Sequence, residues 1–395
     1  MKKFLNTRAA PAVRLHALAA MLLLAFTGHA LAAPDADGGV TGLQQQLSDK
    51  LVGIGDATVP IPRPGADTSA MVNDLLKTTL TAEAAVRIAL LNNPALQVSL
   101  ASAGVGLSDA VGASTPARRQ AQQDLTLASA DARKAWIGAV AAAQSARTLQ
   151  EAKEATEAAG ELARRMTQVG NISKLQQARE QAQLSEAAVQ LLKAQQAAFN
   201  AREKLIVALG LWGAQTGFEL PGALPALPPQ PQELPDIETR VLKEREDLRL
   251  AQAQWQRQLA NPRPASADAL WDAMGDAASV RALAVKTRSE ARQAYHHYRT
   301  TYDLARHYRD EVVPLRKFIN DEVLLRYNGM LLSVFDLLAD SRAQLLSINS
   351  AIEAQRDFWL AEADLQTMLA GAPVALSASA AASGSTAASG SAKAH

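Results

Sequence analysis

Residues 165–179 read RMTQVGNISKLQQAR, and they contain the signals that end one helix and begin the next. Gly170 can adopt the positive φ that ends a helix, and Ser173 can cap the helix that follows. Long runs of Ala, Gln, Glu, Lys and Arg flank the stretch, and these residues are strong helix formers. The stretch therefore predicts the turn of a helical hairpin, with one helix over residues 117–169 and a second that ends near Leu209.

The second helix of this hairpin carries an apolar seam. Its apolar residues are separated by three or four positions, with polar breaks at Gln195 and Arg202, and they are Leu184, Ala188, Leu191, Phe199, Leu205 and Leu209. This spacing places one side chain per turn on a single face, as in a coiled coil. The hairpin is therefore predicted to pack along this seam.

The second half of the chain repeats the pattern. A turn at Tyr327-Asn328-Gly329 is followed by Ser333 and by a helix predicted to reach Leu369. In both halves a short helix precedes the hairpin. In the first it begins after Thr81 and is interrupted by Pro94; in the second a single helix is predicted over 236–259. Internal duplication of this kind indicates a repeated architecture.

These patterns predict an all-α fold of two long antiparallel helical hairpins, a coiled-coil-like α-barrel protomer with little or no β structure. Residues 96–117 are ambiguous: Leu96–Leu100 alternates like a strand, but the phase then changes and glycines weaken either a strand or a helix. Pro314 predicts a kink or a restart after the helix over 266–311. The predicted organisation is a signal peptide over 1–32, an extended linker over 33–75, helical repeats over 76–212 and 236–372, a Pro-rich connector over 213–235 and a disordered tail over 373–395.

The amino terminus has the pattern of a secretory signal. Basic residues precede the apolar stretch Leu15–Phe26, and Ala30-Leu31-Ala32 supplies small residues at the cleavage site. The whole chain has 395 residues, no cysteine, 40 basic and 39 acidic residues. The balance of charge argues against a nucleic-acid partner. The absence of cysteine excludes thiolate metal sites and thiol nucleophiles.

Three motifs occur in order along the chain: Leu80–Ala85 followed by Asn92-Asn93-Pro94, Arg245-Glu246-Asp247-Leu248, and the two hairpin turns. The first resembles the opening motif of the TolC-like outer-membrane efflux protein family, and the second resembles the motif that opens the second half of that family. Both hairpin turns match the family's pattern of Gly, a few residues and Ser. The resemblance covers roughly 80–211 and 240–371.

The resemblance implies a homotrimer whose helices form a periplasmic tube and whose hairpin tips meet a periplasmic adaptor protein. Through the adaptor the tube would work with an inner-membrane pump. The intervals 97–125 and 260–280, where the family carries its β-barrel strands, offer one weak candidate strand at Leu96–Leu100. We therefore expect the barrel insertions to be missing or much reduced.

Candidate functional residues follow from the tips and from the helix faces. The adaptor-docking residues implied by the resemblance are Gly170, Asn171, Ser173, Tyr327, Asn328, Gly329 and Ser333. Three acids would form rings in a trimer and are candidates for gating or pore lining, against a solvated role: Asp321, Glu322 and Asp336. His296, His297 and His307 are metal candidates, but two histidines on one helix face do not make a site without an acidic or third ligand, so a solvated or interhelical polar role is favoured.

The Tyr stripe at 295, 298 and 302 either packs between helices or lines a conduit. No catalytic motif is present, so neither an enzyme nor a cofactor is predicted. The first hypothesis is an outer-membrane-factor-like component of a tripartite efflux system in a Gram-negative bacterium, outer-membrane-associated or periplasmic. The alternative is a soluble periplasmic helical scaffold or binding protein derived from this family and lacking channel activity.

Overall fold

The computed structural model describes residue 61 and residues 67–104, 116–260 and 267–374, and these residues form helices and no strand. The predicted all-α fold is confirmed for them. The described helices are α1 (Ser69–Leu76), α2 (Ala82–Asn92), α3 (Pro94–Ala103), α4 (Pro116–Gln168), α5 (Lys174–Leu209), α6 (Ile237–Glu244), α7 (Glu246–Ala260), α8 (Ala267–His307), α9 (Val313–Asn328) and α10 (Val334–Leu369), with a π turn at Tyr308–Val312.

The predictions for the chain ends are the linker, the signal peptide and the tail. The predicted extended linker over 33–75 is wrong for its last residues, because Ser69–Leu76 is a helix that packs on α2. The signal peptide and almost all of the predicted tail lie outside the described residues.

Side-chain caps explain why α2 and α3 form. The Thr81 hydroxyl accepts a hydrogen bond from the Ala84 amide at 3.1 Å, and Asn93 Oδ1 accepts one from the Leu96 amide at 3.1 Å. Pro94 occupies the first turn of α3, where the N–H it lacks has no partner in the helix. The weak candidate strand at Leu96–Leu100 is therefore a helix, which this cap and this proline start.

The first hairpin consists of α4 and α5. Helix α4 has 53 residues and is about 80 Å long at the usual rise per residue. Leu191, Leu205 and Leu209 of the predicted seam are buried, but Phe199 is 60% exposed. Phe199 lies between the polar breaks at Gln195 and Arg202, and the neighbouring Ala198 is half-buried instead.

The second hairpin has an outgoing arm of two helices joined by the π turn. Pro314 lies at the start of α9 and has no N–H to donate to the preceding turn. Of the predicted kink or restart at Pro314, the structure has the restart: α9 begins at Val313, directly after the wider turn over Tyr308–Val312. The helix predicted over 236–259 is also wrong, since it breaks at Arg245, whose ψ is 107°.

The four long arms lie side by side in the order α5, α4, α10 and α8–α9. Helix α4 packs against both α5 and α10, and α10 packs against both α8 and α9. The two repeats therefore meet where α4 contacts α10. Helix α5 and the α8–α9 arm form the two edges of this layer.

Each repeat closes in the same way. Gly210 after α5 has φ 66°, and a Cβ there would lie 2.4 Å from the Asn92 carbonyl oxygen. Gly371 after α10 has φ 92°, and a Cβ there would lie 2.3 Å from the Glu244 carbonyl oxygen. Only glycine fits both the backbone conformation and the close approach. The two closures show that the sequence repeat is a structural repeat.

Two apolar cores hold the layer together. The first is aliphatic and joins α2 to the start of α4 and the end of α5 through Val86, Leu90, Leu125 and Leu209. The second is aromatic and joins α8 to α10. There the ring of Phe358 lies 5.6 Å from the rings of both Tyr298 and Tyr302.

The Tyr stripe packs, and its hydroxyls bind the Pro-rich connector. The Tyr302 hydroxyl lies 2.9 Å from the Pro229 carbonyl oxygen, to which it donates, and the Tyr298 hydroxyl accepts from the Gln232 amide at 2.9 Å. Both Tyr rings are buried. The packing interpretation of the stripe therefore holds, and the connector is fixed against α8.

Candidate functional site

The two hairpin turns lie at the same end of the layer. Arg342 lies nine residues after Ser333 of the second turn, and its Nη1 donates to Oε1 of Gln183 at 2.6 Å. Gln183 follows Ser173 of the first turn by ten residues. Because these positions differ by only one residue in their distance along α10 and α5, the turns are brought together by the packing of the four arms.

The first turn ends α4 with a Schellman motif. The Gly170 amide donates to the Thr167 carbonyl at 3.1 Å, and the Asn171 amide donates to the Met166 carbonyl at 2.8 Å. Gly170 takes the left-handed conformation, with φ 80°. Ser173 then caps α5 by accepting from the Gln176 amide at 3.1 Å. The predicted helix end and cap at Gly170 and Ser173 are confirmed.

The second turn has the same two bonds around a different residue. The Met330 amide donates to the Tyr327 carbonyl at 2.9 Å, and the Leu331 amide donates to the Arg326 carbonyl at 2.9 Å. The left-handed residue is Met330, with φ 57°, whereas Gly329 has an ordinary φ of −79°. The expectation that Gly329 is the counterpart of Gly170 is therefore wrong.

The register of the repeat identifies the true counterparts. Met330 follows Gly170 by 330 − 170 = 160 residues, and Ser333 follows Ser173 by 333 − 173 = 160 residues. Sequence reasoning missed Met330 because glycine is the usual left-handed residue. The distance to the capping Ser, three residues in both turns, was the signal that could have found it.

The second cap is the more complete one. Ser333 Oγ accepts from the Asp336 amide at 3.2 Å, and Asp336 Oδ2 accepts from the Ser333 amide at 3.1 Å, which forms a capping box. Asp336, a candidate for pore lining, is thus engaged in local structure. Asp321 is exposed and Glu322 is half-buried on α9.

The two turns present different surfaces. Met330 is 94% exposed and Leu331 is 76% exposed, and their counterparts in the first turn are Gly170 and the polar Asn171. Tyr327 is 37% exposed. Apolar side chains at a loop tip are unusual, because loop tips are normally polar. The second turn therefore exposes two adjacent apolar side chains where the first has Gly170 and Asn171, although the first turn also exposes Val169 at 71% and Leu175 at 63%.

The charges around the turns also differ. Residues 161–180 contain four basic and two acidic residues, a net charge of +2, whereas residues 321–340, which correspond to them at the offset of 160, contain one basic and four acidic residues, a net charge of −3. The first turn is thus basic and the second acidic.

Charged pairs also join the two repeats away from the turns. Arg133 Nη2 lies 2.8 Å from Glu362 Oε2, and Lys134 Nζ lies 3.1 Å from Asp364 Oδ1, so two cations of α4 face two carboxylates of α10. Burial raises the pKa of the Glu362 carboxyl, although the Arg133 charge acts in the opposite direction.

The histidines do not assemble into a metal site in the described part of the chain. His307 Nδ1 lies 3.3 Å from Glu311 Oε2, one helical turn away, and both side chains are more than half exposed. Across residues 67–104, 116–260 and 267–374, no group of three or more His, Asp or Glu side chains could hold a metal ion. None of the helices in these ranges combines the length and apolarity needed to cross a membrane.

Comparison with solved structures places this arrangement of helices among known channels. A structure of CusC, from work on folding and transmembrane channel formation, matches with a TM-score of 0.57 and 13% identity over 73% of this chain and 95% of that one. The fold is that of TolC-like outer-membrane channels.

Two further structures with this TolC-like fold match at similar levels. The outer-membrane channel OprN has a TM-score of 0.51 and 15% identity over 80% of this chain and 94% of its own. The Campylobacter jejuni outer-membrane channel CmeC has a TM-score of 0.51 and 12% identity over 73% of this chain and 68% of its own. No protein-family model and no curated protein matches the sequence.

Proposed function

We propose that this chain is the outer-membrane-factor component of a tripartite efflux system, in which a homotrimer forms a periplasmic helical conduit. The hairpin turns dock to a periplasmic adaptor, which links the conduit to an inner-membrane pump. The observation that carries the proposal is the TolC-like layer of four arms, whose two turns project from one end. The chain takes part in export without a covalent step.

The edges of the layer support the trimer. Exposed apolar side chains follow the outer face of α5 at Val189, Leu192, Phe199 and Val207, and follow the opposite edge at Leu304, Leu315, Phe318 and Leu325. Rows of this kind mark contact surfaces. A contact between two different edges of one chain is heterologous, and it closes into a ring when the rotation between copies allows.

A charge on each edge tests the ring. We expect Phe199→Glu and Phe318→Glu each to convert the trimer to monomers, since burying an unpaired carboxylate at an apolar contact is costly. Light scattering on the purified mature chain measures the change. The matched control is Val98→Glu, which changes a 69% exposed residue on α3 that belongs to neither row. A wild-type chain that is monomeric at micromolar concentration would contradict the trimer.

A cell assay and a cross-link test export and docking. Deletion of the gene is expected to sensitise cells to at least one compound in a panel of toxic metals and small organic molecules. Because the chain has no cysteine, a photo-crosslinker attached to Asn171→Cys reports from the first turn alone. We expect it to capture a periplasmic adaptor, identified by mass spectrometry. Unchanged sensitivity together with capture of no adaptor would contradict the proposal.

Fractionation separates the conduit from a soluble periplasmic scaffold. The conduit is expected to stay with the outer-membrane fraction after a carbonate wash, whereas a scaffold would be released into the soluble periplasm.

In a trimer, Asp321 and Glu322 would form rings of three carboxylates each. The neutral variants Asp321→Asn and Glu322→Gln test whether these rings select or gate the exported compound.

A further inference from the structure

A cleft lies beside the first closure, at the end of α5 that is farthest from the turns. It encloses about 960 Å³, and its walls come from α3, the first part of α4, the last turns of α5 and the two residues that follow Gly210. Clefts of this volume hold small organic ligands in many proteins. The cleft is therefore large enough for a small organic molecule.

The backbone beside the cleft is fixed by side-chain hydrogen bonds. Asn93 Nδ2 donates to the Ala208 carbonyl oxygen at 2.9 Å, and Asn92 Nδ2 donates to the Gly210 carbonyl oxygen at 2.7 Å. Both bonds tie the junction of α2 and α3 to the end of α5. The cleft is therefore part of the folded chain, as small-molecule sites usually are before a ligand binds.

Most of the lining is apolar. Leu96 and Leu211 are buried in the first core, and Leu127 and Ile206 are half-buried. Trp212 also lines the cleft, but it is 78% exposed and belongs to neither core. An indole face that is not used in packing can attract a cation. The cleft thus combines apolar walls with an accessible aromatic face.

One carboxylate of the cleft has neutral hydrogen-bond donors. Asp124 is half-buried on the α4 wall, where its Oδ2 accepts from the Ser99 hydroxyl and its Oδ1 accepts from Gln120 Nε2 at 2.9 Å. Neither donor balances the negative charge. Because burial disfavours a charge and a nearby opposite charge favours it, Asp124 provides a position for a cationic group.

The lining as a whole is negative. Asp131 lies seven positions after Asp124 on the same face of α4, and its Oδ1 is 3.6 Å from Lys134 Nζ. The lining also includes Lys204, which is exposed on α5. The charged residues of the lining are two acids and one base, so its net charge is −1. A cation is favoured there over an anion.

We propose that this cleft binds an amphipathic organic cation. The cationic group lies between the Asp124 carboxylate and the face of Trp212, and the apolar part of the ligand packs on Leu96, Leu127 and Ile206. A hydrated metal ion fits less well, because it would leave the apolar lining in water. The site goes beyond the proposed function, since a chain that exports nothing would still hold the cation.

Two probes of similar size and shape and of opposite charge test the preference. Isothermal titration calorimetry on the purified mature chain compares tetraphenylphosphonium, a cation, with tetraphenylborate, an anion. We expect the cation to bind and the anion to bind more weakly or not at all. Both present the same apolar surface to the cleft, so a difference in affinity reports the charge of the site.

Two substitutions locate the cation. Asp124→Asn keeps the shape of the side chain and removes its charge, and Trp212→Ala removes the indole. Each is expected to weaken tetraphenylphosphonium binding about fivefold, the upper end for a partly exposed ion pair or cation–π contact. The matched controls are Asp303→Asn and Trp271→Ala, which change exposed residues of α8 that do not line the cleft.

A second measurement leaves the side chains of the site in place. Fluorotryptophan labels all five Trp residues of the chain, and Trp212→Phe identifies the fluorine resonance of position 212. Tetraphenylphosphonium is expected to shift this resonance. The resonance of Trp271, identified in the same way, should not move.

Each contrary result overturns the site. Equal affinity for the two probes shows a groove without charge preference. An affinity that either substitution leaves unchanged, or a resonance at 212 that does not move, places binding elsewhere. Val207 of the lining also belongs to the row on α5 proposed for the trimer, so Phe199→Glu is titrated as well. Binding by that variant alone shows that a neighbouring copy fills the cleft, and binding by neither chain leaves no site.

Discussion

The two hairpin turns have the same backbone and opposite surfaces. Both end a long helix with a Schellman motif, and both start the next helix with a capping Ser three residues later. Yet the first turn is basic and has Gly-Asn at its left-handed position, whereas the second is acidic and has the exposed pair Met-Leu there. Main-chain hydrogen bonds and caps thus preserve the architecture of the repeat. These bonds do not depend on the exposed side chains of the turns, so those side chains can differ.

The largest expected effect falls on the closures, which the two repeats share. Gly210→Val and Gly371→Val should each lower the free energy of unfolding by roughly 3–5 kcal/mol, because a Cβ would strike a carbonyl oxygen at a positive φ. Urea denaturation followed by circular dichroism measures this loss. Gly138→Ala is the control, since a Cβ there meets nothing within 4 Å, and it should stabilise α4. A tolerated valine at only one closure would break the equivalence of the repeats.

The left-handed positions provide the second test. Gly170→Met should destabilise the chain by about 1–2 kcal/mol, and Met330→Gly should be neutral or stabilising, since the two substitutions add and remove the same strain. Thermal unfolding of the two variants side by side gives the comparison. If Met330→Gly destabilised the chain, then Met330 would have a role in folding, contrary to its exposure.

The caps are expected to differ more modestly. Ser173→Ala and Ser333→Ala should each cost about 1 kcal/mol in unfolding free energy, with the larger loss at Ser333 because it also disrupts the capping box with Asp336. Asp336→Asn is the matched variant, since it keeps the shape of the side chain and removes its charge. Equal losses at both Ser residues would show that the reciprocal bond adds nothing.

The smallest expected effect is on the interface between the repeats and depends on pH. The folded state raises the pKa of Glu362, so the folded chain holds that proton more tightly than the unfolded chain. The contribution of Glu362 is therefore most favourable below its unfolded pKa and declines as the pH rises toward the folded pKa. Thermal midpoints of the wild type and Glu362→Gln between pH 4 and 7 should show a difference that falls as pH rises. A difference independent of pH would contradict the shift.

Local signals predicted most of the helices correctly. Thr81, Ser173 and Ser333 each begin a helix through a side-chain hydrogen bond, and Gly170 and Gly210 each end one in the left-handed conformation. These effects act within one turn of helix, so a sequence shows them directly. For this reason the hairpins and their turns could be placed from the sequence alone.

The predictions that failed depend on contacts between distant residues. The helix breaks at Arg245, whose side chain is only 4% exposed and whose guanidinium lies 3.0 Å from Glu290 of α8. Phe199 faces outward because the register of α5 against α4 is set over the whole hairpin. The left-handed Met330 follows from the position of the cap rather than from the preference of the residue. None of these can be deduced from a short stretch of sequence.

The π turn at Tyr308–Val312 has a consequence for the angular phase of the longest arm. Along this arm Tyr298 and Ala305 are buried, and Val312 and Ile319, which continue the spacing of seven, are half-buried. A straight α-helix lags about 20° per heptad behind a seven-residue repeat. A turn with more than 3.6 residues rotates the chain less per residue, so it adds to this lag. The π turn therefore shifts the angular phase of α9 relative to α8, and the arm is not one continuous heptad repeat.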